Sequence, residues 1–159
     1  MKKPNISGLA HVVLRVKELD RSVEFYVKVL GLEVTSTAGK RMAFLSAPQQ
    51  KIKSHELGLL ALGSEIMPSE KNRVGLYHVA WQMDTLDELE NFHAHLVNEE
   101  VKIVGYGDHG ISMGIYFLDP DGNEIEVFYE LPKSEWPSNL SKFDGKFPLP
   151  FNVERLNVS

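Results

Sequence analysis

Apolar and polar residues alternate in two separate stretches of the chain, at residues 9–16 and 77–82. In each stretch every second residue is apolar, and the face opposite the bulkier apolar set carries a histidine, His11 in the first and His78 in the second. A period of two is typical of a strand with one face buried. The pattern therefore predicts two strands, each presenting one histidine on the face turned away from its own core.

A helical period follows each predicted strand. In the first case apolar residues recur every three or four positions between Asp20, the predicted N-cap, and Gly31, which is suited to end a helix. The second helix is predicted from about Leu86 to Val97. Short β-rich runs come next, at residues 33–37, 41–47 and 55–62 after the first helix and at 101–105, 112–118 and 123–129 after the second. The predicted order is βαβββ, twice.

The two halves are related by sequence. A shift of 67 residues places His11-Val12 on His78-Val79 and gives nine identities over the 27 positions from Gly8 to Val34 without a gap. Chance would give about two at average residue usage. We therefore predict a single domain over residues 1–159 built from two copies of one unit. Module one spans about 6–63, module two about 74–130, and a C-terminal arm covers 131–159.

Composition narrows the classes of function. The chain has 159 residues, 43% of them hydrophobic, with a net charge of −5 and no cysteine. Its apolar stretches are shorter than the roughly 20 residues that span a bilayer, and no signal peptide is recognised at the N-terminus. The charge argues against nucleic-acid binding. We expect a cytoplasmic protein with no membrane partner, in which any metal is held by histidine and carboxylate.

His11 and His78 are candidate metal ligands because they occupy the same position in the two copies. If the copies pair about a pseudo-twofold axis, equivalent strand positions face each other across a shared cleft. Glu124 and Glu126 place two carboxylates on one face of an otherwise apolar strand, although one of them can be a solvated edge residue. Two imidazoles and one carboxylate are typical of non-haem Fe(II), and they also suit Mn(II), Co(II), Ni(II) or Zn(II).

These residues resemble the vicinal oxygen chelate superfamily over roughly Ile6 to Glu130. The superfamily includes extradiol catechol dioxygenases, glyoxalase I, methylmalonyl-CoA epimerase, and fosfomycin and bleomycin resistance proteins. The resemblance implies an α+β fold, in which two paired βαβββ modules form a cup-shaped mixed sheet around a metal site. It also implies a metal held by His, His and Glu.

A more specific resemblance, to the extradiol ring-cleavage dioxygenases, lies in the second module. The matching residues are Gly107-Asp108-His109, Ile115-Tyr116, Asp119-Pro120, Gly122 and Glu126. The resemblance implies that His11, His78 and Glu126 bind Fe(II) and that His109 and Tyr116 hydrogen-bond the substrate. His55 matches the position of an active-site histidine in those enzymes, which implies an acid–base role. The implied activity is Fe(II)-dependent ring cleavage of a catechol-like aromatic diol by O2.

Two other classes of function stay open at this point. In glyoxalase I a fourth ligand is a glutamate on the last strand of the first module, and Glu56 falls close to that position. Adjacent strand residues point to opposite faces, so only one of His55 and Glu56 faces the cup. An inward Glu56 favours a glyoxalase-like or epimerase-like isomerase with Ni(II) or Zn(II). The third reading is a non-enzymatic drug-binding resistance protein.

The size of the substrate pocket leads to a prediction about oligomeric state. With one pair of modules, a larger substrate pocket must come from the C-terminal arm or from a second subunit, so we expect a homodimer or a larger homo-oligomer. Aromatic residues of the arm suggest that it packs on the body or on a partner. They are Trp136, Phe143, Phe147 and Phe151.

Overall fold

The computed structural model contains both predicted βαβββ units. It describes residues 3–49, 54–67, 74–136 and 138. The chain divides into two compact units, residues 1–68 and 69–159, and the boundary falls between the two predicted modules. Each unit holds one four-stranded mixed sheet and one α-helix, which confirms the predicted α+β class.

Unit 1 has its strands in the order β1-β4-β3-β2, with β1 parallel to β4 and the other pairs antiparallel. Its core lies between the sheet and the helix and includes the fully buried Tyr26, Leu45 and Leu59. The elements are β1 (Val12–Val16), α1 (Leu19–Leu30), β2 (Glu33–Ala38), β3 (Met42–Ser46) and β4 (Leu57–Ala61).

The structure confirms the predicted C-terminal end of α1 but not its predicted N-cap. The helix ends as predicted at Gly31, which has a left-handed backbone (φ 68°). The N–H groups of Gly31 and Leu32 donate to the carbonyls of Val27 and Tyr26 in the last turn. The prediction of Asp20 as N-cap is wrong, because Glu18 takes that position and makes no side-chain cap hydrogen bond. Asp20 lies inside the first turn instead, where a negative charge interacts favourably with the helix dipole.

Unit 2 repeats the arrangement, with strand order β5-β8-β7-β6 and β5 parallel to β8. Its fully buried residues include Leu89, Phe117, Ile125 and Val127. The elements are β5 (His78–Met83), α2 (Leu86–Asn98), β6 (Ile103–Asp108), β7 (Ser112–Leu118) and β8 (Glu124–Glu130). Among the described residues, neither helix has the length and apolar character needed to cross a bilayer.

The start of α2 is a capping box. The Thr85 hydroxyl accepts a hydrogen bond from the Glu88 backbone N–H at 3.2 Å, and the Glu88 carboxylate accepts from the Thr85 backbone N–H at 3.1 Å. Two N–H groups that the helix leaves unpaired are thereby satisfied. The contrast with Glu18, which caps α1 without any side-chain bond, gives a matched pair of helix starts.

We expect Thr85→Ala to lower the free energy of unfolding by about 1 kcal/mol, because the hydroxyl acceptor is lost. Urea denaturation followed by circular dichroism measures the change. Glu18→Ala is the control and should be nearly neutral, since that side chain makes no cap hydrogen bond. Equal effects of the two substitutions would contradict the role given to the capping box.

The two faces of each sheet differ in chemistry. In unit 2, alternate residues of β7 and β8 are buried and pack toward α2, namely Ile115, Phe117, Ile125 and Val127. The ring centroids of Phe117 and of Phe92 on α2 are 5.8 Å apart. The residues between them point to the opposite face, which we call the open face. Because strand side chains alternate, the open face of unit 2 carries His78, Tyr116 and both candidate glutamates.

The C-terminal arm is described only in part. Lys133–Glu135 form one 3₁₀ turn, and the Trp136 indole N–H donates to the Leu131 carbonyl at 2.8 Å. Trp136 is half-buried by this local contact. The other predicted packing aromatics, Phe143, Phe147 and Phe151, lie outside the described residues.

Candidate functional site

The parallel pairing of β5 with β8 brings His78 and Glu126 together. Ala80 is the register partner of Glu126, and His78 lies two residues before it on the same strand face. His78 Nε2 is 3.1 Å from Glu126 Oε2. Glu126 is only 7% exposed, so its carboxylate is one of the few buried charged groups in the described chain. A buried carboxylate needs compensating partners, and an imidazole is the first of them.

Tyr116 is the second partner of Glu126. Its hydroxyl donates to Glu126 Oε1 at 2.8 Å, since β7 and β8 make these two residues register partners. Burial raises the pKa of the Tyr116 hydroxyl well above its usual value, and the hydrogen bond to Glu126 raises it further. The hydroxyl therefore stays protonated at neutral pH and acts as a donor.

His109 extends this network by one group. Its Nε2 is 3.1 Å from the Tyr116 hydroxyl. A phenol carries a single proton, and that proton is directed to Glu126, so His109 Nε2 must be the protonated nitrogen for this contact to be a hydrogen bond. His109, Tyr116 and Glu126 thus form a directed chain of donors that ends on the buried carboxylate. We call these residues with His78 the polar cluster.

Two facing glycines of β6 and β7 make room for the polar cluster. Gly107 and Gly114 are register partners. A Cβ on Gly114 would lie 2.6 Å from Glu126 Oε1, and a Cβ on Gly107 would lie 3.0 Å from the Tyr116 ring. Sequence reasoning assigned neither glycine a role, although a glycine inside a strand often marks the close approach of another group.

The turn before β8 fixes the strand that carries Glu126. Asp119 is buried, and its Oδ1 accepts from the backbone N–H groups of Asp121 and Asn123 at 2.9 and 2.8 Å. Its Oδ2 accepts from the Asn123 side-chain amide at 2.8 Å. A carboxylate that bonds to its own turn in this way holds the chain direction into β8. The Asp-Pro-Asp-Gly segment therefore sets the entry to the strand.

Unit 1 brings a different pair of histidines together. The rings of His11, which directly precedes β1, and His55, which precedes β4, have centroids 4.5 Å apart. The Phe44 ring centroid lies 4.8 Å from that of His55, and Ser54 Oγ is 3.0 Å from His55 Nδ1. His55 thus contacts both an aromatic ring and a candidate metal ligand.

The Glu56 carboxylate hydrogen-bonds to residues at the end of β3. Its Oε2 accepts from the Ala47 backbone N–H at 3.0 Å and from the Ser46 hydroxyl at 3.2 Å. The strand position that corresponds to Glu126 is Gly58, because Gly58 pairs with Val13 as Glu126 pairs with Ala80. The repeat places Val13 and Ala80 at equivalent positions. Unit 1 therefore has no carboxylate at the position where unit 2 has one.

The predicted ligand set draws on both units. His78 and Glu126 belong to unit 2, whereas His11 belongs to unit 1. Within the ranges that the structure describes, no group of three or more histidine, cysteine, aspartate or glutamate side chains is arranged to hold a metal ion. The His78 and Glu126 donors are in contact, and the complete triad stays a prediction.

Fold and sequence together define the class of protein. A family model described as the Glyoxalase/Bleomycin resistance protein/Dioxygenase superfamily matches residues 8–127. The chain belongs to this superfamily, which confirms the resemblance found in its repeats and motifs.

Two relatives are named as dioxygenases. A catechol-2,3-dioxygenase of Bacillus subtilis (strain 168) is 34% identical over 80% of this chain and 43% of its own length. A biphenyl-2,3-diol 1,2-dioxygenase of Rhodococcus globerulus is 27% identical over 74% of this chain and 60% of its own length. The chain thus spans about half the length of these curated relatives.

A solved structure with the same fold is a glyoxalase/dioxygenase from Nostoc punctiforme. It has a TM-score of 0.69, covers 83% of this chain and 97% of its own, and is 23% identical. At that identity the likeness shows the fold alone.

Proposed function

We propose that the protein is an Fe(II)-dependent extradiol dioxygenase that cleaves the ring of a catechol-like aromatic diol with O2. The observation that carries the proposal is the polar cluster, in which His78 and Tyr116 both contact the buried Glu126. The relatives named as dioxygenases of catechol and biphenyl-diol support the same reaction class. Their shared length with this chain is partial, so the activity of the whole protein is part of the proposal.

His78 and Glu126, with His11 from unit 1, are the proposed metal ligands. Two donors at adjacent octahedral positions, each about 2.1 Å from a metal, are about 3.0 Å apart. The 3.1 Å between His78 Nε2 and Glu126 Oε2 fits that requirement. A bound divalent ion would lower the pKa of a diol hydroxyl and bring diol and O2 to one centre. Mn(II), Co(II), Ni(II) and Zn(II) suit the same donor types.

Tyr116 and His109 would hold the substrate beside this centre. Tyr116 is a neutral donor whose raised pKa prevents it from losing its proton. With its proton directed to Glu126, its oxygen can accept a hydrogen bond from a diol hydroxyl or from His109. Tyr116 is fixed by strand pairing with Gly105, and the His109 backbone N–H donates to the Ser112 carbonyl at 2.9 Å. Both residues therefore supply positioned partners without reorganising.

His55 is the proposed acid–base catalyst. An imidazole titrates near neutrality, which suits it to take and return protons during turnover. Its ring contacts the ring of His11, a proposed ligand, and the ring of Phe44. The hydroxyl of Ser54, 3.0 Å from Nδ1, is placed to orient the ring.

The glyoxalase-like and epimerase-like alternatives receive less support. They need Glu56 as a fourth ligand, and that carboxylate accepts hydrogen bonds from Ser46 and Ala47. A non-enzymatic drug-binding cup would have no use for the donor chain that ends on Glu126.

Homo-oligomeric assembly is part of our proposal. Large exposed apolar residues before β1 and β5 support it, namely Ile6, Leu9, Leu76 and Tyr77.

The test is reconstitution with Fe(II) under anaerobic conditions, followed by catechol or a substituted diol and then air. We expect a yellow ring-opened product that needs Fe(II) and does not form in Glu126→Ala. Colourless reactions with several diols, in protein that demonstrably holds metal, would contradict the proposal. The same preparations with Ni(II), Zn(II) and Co(II) would then be assayed for glyoxalase and epimerase activity.

Gly114 gives a further prediction about this site. A methyl group in Gly114→Ala would meet Glu126 Oε1, so the carboxylate must move and its bond to Tyr116 is lost. Because the moving atom ends a flexible side chain, we expect a folded protein whose Kd for Co(II) rises by roughly 10-fold or more. Isothermal titration calorimetry measures it. Gly105→Ala is the control, since nothing lies within 4 Å of its added Cβ. Equal Kd values for both variants would contradict the prediction.

A further inference from the structure

Glu124 is a second carboxylate on β8, and the proposed function gives it no role. It is the register partner of His78 on the parallel strands β5 and β8, so both side chains lie on the open face of unit 2. Its Oε1 is 4.0 Å from His78 Nδ1, while Glu126 Oε2 is 3.1 Å from His78 Nε2. The imidazole of His78 thus lies between two carboxylates, one facing each nitrogen.

The two nitrogens of His78 differ in their partners. Nε2 contacts Glu126, whereas Nδ1 is buried and makes no hydrogen bond with any residue that the structure describes. A buried polar atom without a hydrogen-bond partner destabilises the protein. Glu124 Oε1, which lies 4.0 Å from Nδ1, is the acceptor that can supply this bond. The rings of Tyr77 and Tyr116 lie 5.1 and 5.5 Å from the imidazole and restrict its rotation.

We propose that Glu124 is a positioning residue for His78. It accepts a hydrogen bond from Nδ1–H, which fixes the tautomer whose Nε2 lone pair can bind a metal ion that Glu126 also holds. A ligating histidine whose other nitrogen donates to a carboxylate is held in orientation and becomes a stronger donor. This inference rests on the proposed function, in which His78 is a metal ligand.

Only a small movement forms this bond. A hydrogen bond between nitrogen and oxygen requires a separation of about 2.7–3.2 Å, so Glu124 Oε1 must approach by roughly 1 Å. The Glu124 side chain is 23% exposed, which leaves it room to change its rotamer. Its backbone stays fixed, because Asn123 just before it is bound by Asp119.

The experiment compares the full chain with Glu124→Ala, Glu124→Gln and the control Glu130→Gln. Glu130 lies at the far end of the same strand and is exposed, so its substitution removes one negative charge away from His78. Titration calorimetry with Zn(II) alone gives the Kd. We expect a rise of about 10- to 100-fold for Glu124→Ala, a smaller rise for Glu124→Gln, whose amide oxygen still accepts, and no change in the control.

A second measurement reports on the ring itself. Proton NMR of the Zn(II)-loaded protein should show the His78 Nδ1–H as a slowly exchanging signal in the wild type and in Glu130→Gln, because Glu124 accepts a hydrogen bond from this proton. In Glu124→Ala we expect the same proton to exchange faster with water. Thermal unfolding of each variant separates this effect from loss of the fold.

Three outcomes would overturn the inference. They are an unchanged Zn(II) Kd and Nδ1–H exchange rate in Glu124→Ala, a loss of binding as complete as in His78→Ala, which would make Glu124 a ligand, and a wild type that binds no Zn(II). If the Zn(II) data follow the expectation but Fe(II)-loaded wild type opens no diol ring, the proposed reaction fails and the role of Glu124 stands.

Discussion

Glu126→Ala is expected to remove metal binding and ring cleavage together while the chain stays folded. The substitution deletes the carboxylate that accepts from Tyr116 and contacts His78, and with it one of the three proposed ligands. The Tyr116 hydroxyl loses its acceptor, which costs about 1–3 kcal/mol of stability. Each unit buries its own core, so this loss should not unfold the protein.

Calorimetric titration with Co(II) and the catechol assay together measure the effect of Glu126→Ala. Glu126→Gln separates the two roles, because its amide oxygen keeps an acceptor for Tyr116 while the charge is lost. His11→Ala and His78→Ala should give the same loss of metal. Any of these variants that keeps a fully loaded metal site would remove that residue from the ligand set.

His55→Gln is expected to keep the metal and lose turnover. General acid–base catalysis typically contributes about 10²- to 10⁴-fold, and the loss in kcat should fall in that range. The matched substitution is Glu56→Gln at the adjacent residue, where an amide oxygen can still accept from Ser46 and Ala47. We expect Glu56→Gln to retain most of the activity.

Steady-state kinetics on Fe(II)-loaded protein, with metal content determined for each preparation, compares the two variants. A large loss in Glu56→Gln with little change in His55→Gln would favour the glyoxalase-like arrangement over ring cleavage. Loss of metal in His55→Gln would instead indicate that this histidine is a ligand.

Periodicity predicted the fold well because it reports which face of each element is buried. The alternation around His78 predicted β5 and placed this histidine away from the core, and the paired glutamates predicted the chemistry of β8. The contact between His78 and Glu126 then follows from parallel strand pairing. The superfamily resemblance is confirmed by the match over residues 8–127.

Other features depend on contacts that a linear pattern does not contain. Asp20 is a good N-cap by type, but the N-cap is Glu18 and the helix begins at Leu19, two residues earlier than predicted. The orientations of His55 and Glu56 are decided by a bend before β4 and by the Ala47 N–H, which binds Glu56 from the end of a neighbouring strand. Gly114 matters only because of what lies across the ladder from it.

The unequal strand positions of the two units bear on how such a protein can evolve. Unit 2 combines Glu126 with the small Ala80, whereas unit 1 combines Gly58 with the larger Val13, and a Cβ on Gly58 would lie 3.1 Å from Val13 Cγ2. At this pair of positions the larger side chain is on β8 in unit 2 and on β1 in unit 1. A mutation from Gly58 to glutamate thus meets a steric obstacle unless Val13 also becomes smaller. The effect of a carboxylate at position 58 is therefore expected to depend on the residue at position 13, so that the free-energy changes of the two mutations are not additive.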